Sequence, residues 1–139
     1  MIYLLDTCVV SEFVRPQPSN DLIQWLSITN DVLLAISVIT LGEIQKGISG
    51  LEQSQRKDRL QEWLSCQLIP RFDNRILPIS ADDAVKWGEL MGDAKRQGCP
   101  LPATDTLIAA TAMNRHLTLV TRNTKDFERM GVSLLNPWR

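Results

Sequence analysis

Most of the 16 acidic residues in this 139-residue chain sit among polar neighbours, where solvation accounts for them. Asp6, Glu43 and Asp105 do not. Asp6 ends the apolar run Ile2 to Leu5. Glu43 is the single acid between Asp31 and Glu52, in a segment rich in Ile, Leu, Val and Gly. Asp105 is the single acid between Asp93 and Asp126, at the head of the most apolar stretch of the chain. A carboxylate against apolar walls is costly unless it is paired, hydrogen-bonded or bound to a cation. Three of them cannot all stay ionised at close quarters without positive charge among them. Oxygen-only ligation suits Mg²⁺ or Mn²⁺. The reaction such a centre serves best is phosphodiester hydrolysis, in which the cation acidifies a water and stabilises charge on the phosphoryl and leaving oxygens. Each acid also has a structural reading. Asp105, after Thr104, suits a helix N-terminus, Asp6 can cap the turn into Val9-Val10, and Glu43 can pair with Lys46. Spacing alone leaves both readings open.

The elements that must position these acids alternate along the chain. Ile2 to Leu5, Val32 to Ile36 and Leu117 to Thr121 are short continuous apolar runs, the pattern of strands buried on both faces. Arg75 to Ile79 is strand-like, with Pro78 pointing to an edge or a strand end. Ser133 to Leu135 is a candidate last strand. Helical spacing follows a cap at Ser19 or Asn20, continues from Ser37 to about Gly50, and returns from about Ser54 to Ile69. Ser80-x-x-Asp83 reads as a capping box opening a helix with Trp87, Leu90 and Met91 inward. Thr104 is a candidate cap for the helix from Asp105 to about Arg115, which is apolar nearly all round and therefore central. Asn123 to Met130 is a short helix or turn. Strands interleaved with helices predict a three-layer α/β domain with a mostly parallel sheet, occupying residues 1–139 as one unit. In such a sheet ligands gather outside the carboxyl ends of the strands, where Asp6 falls.

Composition narrows the functional classes. With 44% hydrophobic and 22% charged residues the chain reads as globular, with no apolar run of membrane-spanning length. The early Asp6 and the lack of a basic leader argue against a signal peptide and for the cytoplasm. A net charge of -1 gives no general attraction for nucleic acid, so a nucleic-acid substrate must be held locally, by a patch or a metal. Cys8, Cys66 and Cys99 are odd in number and widely spaced, the pattern of reduced thiols. One histidine, His116, rules out a mechanism needing two imidazoles, and its place after Asn114-Arg115 suits a helix end. No G-x-G-x-x-G or G-x-x-x-x-G-K-[ST] motif offers a phosphate cradle. Trp25, Trp63 and Trp87 lie at helical core spacing, and Arg56-Lys57-x-Arg59 reads as a solvated helix face. Arg122 is the better candidate for a phosphate contact, because it opens at a strand's carboxyl end.

Four motifs in order resemble a known family. Asp6-Thr7-Cys8-Val9-Val10-Ser11-Glu12 resembles the opening of PIN-domain ribonucleases of the VapC toxin type. Glu43 in Ile39-Thr40-Leu41-Gly42-Glu43-Ile44 is similar to their second acid, and Asp105 in Thr104-Asp105-Thr106-Leu107-Ile108 to their third. Thr121-Arg122-Asn123-Thr124-Lys125-Asp126-Phe127 is similar to the closing motif, and Asn136-Pro137-Trp138 to the tail of the FitB-like subgroup. The resemblance implies a three-layer α/β/α PIN-like fold and a Mg²⁺-dependent endoribonuclease, Mn²⁺ being the alternative ion. It implies catalysis and metal binding by Asp6, Glu43 and Asp105. It also implies a homodimer, silenced by a VapB-like antitoxin that reaches the acidic groove and carries any DNA contact. Two positions depart from the pattern. Cys8 stands where the family commonly has Asn, and Asn123 where many members have a fourth acid. The departures keep a catalytically weakened binding or regulatory module as the alternative. For the fourth position the sequence favours Asn123 over Asp126, because Phe127 packs inward and leaves Asp126 to solvent.

Overall fold

The computed structural model describes residues 1–138. Five parallel strands form one sheet: β1 (Tyr3–Leu5), β2 (Leu34–Ser37), β3 (Ile76–Leu77), β4 (Thr118–Val120) and β5 (Leu134–Leu135). Their spatial order is β3-β2-β1-β4-β5. The register sets Leu4 beside Ala35 and Leu119, so neighbouring side chains share a face. Leu4, Ala35 and Leu119 belong to one buried cluster, while Leu5, Leu34, Ile36 and Val120 belong to another. Because side chains alternate across a strand, a continuous apolar run feeds both faces, which is why the sheet needs helices on each side.

One face carries α6 (Ala81–Arg96), α7 (Ala103–Asn114) and α8 (Thr124–Glu128), packed through Ala94, Ile108, Ala109 and Phe127. The other carries α1 (Thr7–Glu12), α2 (Asn20–Ile28), α3 (Val38–Ser49), α4 (Gln55–Trp63) and α5 (Ile69–Phe72), packed through Val9, Leu22, Ile44 and Phe72. The layers are helix, sheet, helix, as the chain pattern predicts. Burying a side chain of this kind stabilises the fold by roughly 1.5–3 kcal/mol each.

Several boundaries differ from the sequence reading. β2 begins at Leu34, because Asn30 Oδ1 accepts the Val32 N–H and a 3₁₀ turn occupies Asp31–Leu33. Arg75 closes another 3₁₀ turn instead of opening β3, and β3 is an edge strand that stops before Pro78. The helix through Leu60 and Trp63 continues past Ile69 as a π turn, Leu64–Leu68, and then α5. α7 starts at Ala103 with Pro102 before it, so Thr104 is not its cap. Pro102 has no side-chain acceptor, and its carbonyl instead accepts the Thr106 hydroxyl at 2.6 Å. The capping box forms as expected: Ser80 Oγ accepts from Asp83 N, and Asp83 Oδ2 accepts from Ser80 N. Buried Asp83 also takes Arg115 at 2.9 Å and Asn114 at 3.1 Å, tying α6 to the end of α7. Among the described residues no helix is long and apolar enough to cross a membrane.

A candidate metal centre at the carboxyl ends of the strands

β1 is the switch point of the sheet, since the next strand in sequence, β2, lies on one side of it and β4 on the other. The crevice at such a point opens beyond the strands' carboxyl ends. Asp6 is the first residue past β1, and it is also the N-cap of α1. The capping and the functional readings therefore describe one side chain in one place. Asp6 Oδ1 accepts the Thr7 N–H at 2.9 Å, and Oδ2 accepts the buried Thr121 hydroxyl at 2.8 Å, with Cys8 Sγ 3.5 Å away. Thr121 immediately follows β4. Its own oxygen accepts the Asn123 N–H at 3.0 Å, which fixes its proton toward Asp6.

Glu43 arrives from the second turn of α3, whose N-cap Ser37 ends β2. Its Oε1 accepts the Thr7 hydroxyl at 2.6 Å. Glu43 has no ion pair with Lys46 among the described residues. The structural reading of Glu43 as half of a helix-surface ion pair therefore fails. Asp105 sits in the first turn of α7.

The charge of Glu43 bears on Asp6, and the charges of both bear on Asp105. Burial pushes Asp6 above the ordinary carboxylate value, the bonds from Thr121, Thr7 and Cys8 pull it back, and the charge of Glu43 pushes it up again. Asp105 is pushed up to about 6 by burial and then by the charges of Asp6, Glu43 and Asp126. Asp126 is exposed and Phe127 buried, as the sequence suggests, yet the Asp126 charge bears on Asp105. Asn123 caps no backbone group with its side chain and is exposed at the start of α8. Of the charges that raise Asp105, that of Asp126 contributes least, after Asp6 and Glu43.

The carboxylates of Asp6, Glu43 and Asp105 come from separate elements, Asp6 and Asp105 being pushed up by burial and then by neighbouring charge, and form a hard donor set with no lysine or arginine paired to it among the described residues. That set fits a divalent cation held partly through water, because Mg²⁺ keeps several waters and commonly takes one or two carboxylates. Among the described residues no group of three or more His, Cys, Asp or Glu side chains stands close enough, as placed, to hold a metal ion directly.

Residues 3–132 match the PIN domain family. The chain belongs to the PIN-domain family. It is 39% identical over 137 residues to toxin FitB of Neisseria gonorrhoeae, covering 97% of both chains. It is 34% identical to ribonuclease VapC2 of Rickettsia felis, covering 99% of this chain and 98% of that protein. The solved structure of FitAB bound to an IR36 DNA fragment superposes with a TM-score of 0.91 at 35% identity, covering 99% of this chain and 96% of that one.

In this PIN domain the other singled-out residues sort by position. His116 is exposed at φ 55 just after α7, at the amino end of β4 and therefore across the sheet from Asp6. Burial and the Asp6 charge push the Cys8 thiol above its ordinary value, which keeps it protonated. Among the described residues no Cys-His pair forms. Cys66 and Cys99 are free and exposed. Trp25 stacks edge-on with Tyr3 at 5.1 Å and Trp87 donates to Ala103 O at 3.0 Å, so both are packing residues, while Trp63 packs against the core and stays half-buried. Arg122 is exposed, with its guanidinium 5.5 Å from the Trp138 ring centroid. Thr7, Thr40 and Thr121, which hold the acids, carry no distinct chemical signal in the sequence. Their one clue is adjacency to Asp6, Glu43 and the closing motif.

Proposed function

We propose that this PIN-domain chain is a Mg²⁺-dependent endoribonuclease, the toxin half of a toxin–antitoxin pair. The observation that carries the reading is the group of carboxylates at the sheet's carboxyl end, where Asp105 is raised to about 6 by burial and by Asp6, Glu43 and Asp126. Relatives named as a toxin and as a ribonuclease over nearly their full lengths support it.

Asp6, Glu43 and Asp105 hold the cation, with Asp126 or Asn123 completing its surroundings. When bound, the cation supplies positive charge that acidifies a water and stabilises the developing charge on phosphoryl oxygens. Thr121 and the Thr7 N–H fix the Asp6 carboxylate, and the Thr7 hydroxyl fixes Glu43. Preset ligands of this kind reduce reorganisation during the reaction. Arg122, at the rim beside Asn123, is placed to meet a substrate phosphate. Mn²⁺ has the same ligand preference and substitutes for Mg²⁺.

The chain works as one domain over 1–139, as a homodimer in the cytoplasm. A VapB-like antitoxin covers the acidic groove and supplies any DNA contact, in keeping with the FitAB–DNA complex that this fold resembles. Purified protein should cleave single-stranded RNA in the presence of Mg²⁺ and stop on addition of EDTA. Binding of RNA without any divalent-dependent cleavage would instead support the weakened module.

A further inference from the structure

An acid centre repels the polyanion it acts on, and a chain of net charge -1 supplies no general attraction to offset this. A groove of about 850 Å³ adjoins the acids, beginning at Thr7 and Glu43 and lined from α1, α3 and α4. Among the described residues Glu43 is the one acid in its lining, against three arginines, Arg15, Arg56 and Arg59. Arg56, Arg59, Leu60 and Trp63 follow one another at the spacing of a single face of α4, and all four line the groove. The basic run that reads in sequence as a solvated helix face is therefore turned toward the site. Arg56 and Arg59 are exposed and make no ion pair among the described residues. Arg15 is held by buried Glu12, whose Oε2 takes its guanidinium at 3.3 Å while Oε1 takes the Ser19 N–H at 3.0 Å.

The geometry points to this groove as the seat of the single-stranded RNA next to the scissile phosphate, with Arg15, Arg56 and Arg59 on backbone phosphates and bases against the apolar walls and Trp63. The assignment rests on the ribonuclease reading of the acid centre. Guanidinium forks match phosphate oxygens, and sequence-tolerant single-strand sites pair a cationic track with apolar or aromatic surface for bases. Only unpaired bases can reach such walls, so a duplex is excluded. The charge balance suits a polyanion, because among charged groups an occupant entering from the acids meets only cations beyond Glu43.

The test uses the full chain carrying Asp105→Asn, so that RNA is bound and not cut, and a fluorescein-labelled oligoribonucleotide of mixed sequence. Anisotropy is read across a salt series. Adding Arg56→Ala and Arg59→Ala should weaken binding at least tenfold and flatten the logarithmic salt slope by roughly 0.7 for each phosphate that is no longer neutralised. Arg56→Lys with Arg59→Lys should restore the slope. Gly47→Leu is a second probe: Gly47 lines the groove, and an added Cβ there meets no atom within 4 Å, so the backbone admits a side chain at this point of the wall. It too should weaken binding. Unchanged affinity and slope in the alanine pair, with RNA cleavage by the otherwise wild-type chain at an unchanged KM, would overturn the subsite, assign the groove to a protein partner and leave the ribonuclease reading intact. Arginine-dependent binding with no cleavage by the wild-type chain would do the reverse.

Discussion

Thr7 Oγ1 donates to Glu43 Oε1 across 2.6 Å, and the Thr40 hydroxyl lies 3.1 Å from the same Thr7 oxygen. Since Thr7 has one hydroxyl proton and gives it to Glu43, Thr40 is the donor in the second contact. The Thr7 backbone N–H meanwhile donates to Asp6 Oδ1. One residue thus sets two acids from different elements. Thr7→Val should weaken Mn²⁺ binding severalfold by calorimetry and cost about 1–3 kcal/mol of stability, as expected for a hydrogen bond to a charged group. Thr7→Ser should recover both. A valine variant with wild-type affinity would show that Glu43 needs no fixing.

Thr121 holds the other oxygen of Asp6 through a buried hydrogen bond. Burial already pushes the Asp6 carboxyl up, and Thr121 is the strongest of the bonds that pull it down. Thr121→Val should therefore move the acid limb of the cleavage–pH profile to higher pH, with Thr121→Ser restoring it. An unmoved limb would mean that Asp6 does not govern that limb.

Asp105 gives a stability prediction whose sign is fixed. Its folded value, about 6, lies above the ordinary 3.8, so the folded state holds the proton more tightly than the unfolded one. The stability it contributes is complete below about pH 4 and is lost as pH rises through 6. In metal-free protein Asp105→Asn should be more stable than wild type at pH 7, by about 1 kcal/mol after allowing for solvent screening of a half-exposed group. The advantage should fade toward pH 4 in urea melts, and a pH-independent difference would contradict it.

The fourth position separates charge from proximity. Asp126 acts on Asp105 through space, so Asp126→Asn should lower the Asp105 value and weaken divalent binding severalfold. Asn123→Asp should tighten binding by adding a charge at the same rim. A silent Asp126→Asn beside a tighter-binding Asn123→Asp would assign the position to Asn123.

The candidate site's acids stand out in the sequence because each is chemically out of place: Asp6 at an apolar strand end, Glu43 and Asp105 in otherwise acid-free apolar segments. The layered parallel fold was legible for a related reason, since runs such as Leu117 to Val120 are apolar on both alternating faces. Local geometry was harder. The π turn at Leu64–Leu68 and the 3₁₀ turn at Asp31–Leu33 leave the apolar periodicity intact while shifting where elements end. Proximity between chain-distant groups was hidden altogether. Nothing in the sequence sets Thr7 against Glu43, or Thr121 against Asp6, because those relations arise only when α3 and the end of β4 come together beside Asp6.

The central claim is that Asp6, Glu43 and Asp105 share a divalent cation. Crystals of the full chain soaked in MnCl₂ and measured at the manganese absorption edge test it most directly. The account predicts an anomalous peak among these three carboxylates, in direct or water-mediated contact, that disappears in Asp6→Asn. A manganese peak at another place, with no density among the three acids and with RNA cleavage persisting in EDTA, would contradict it.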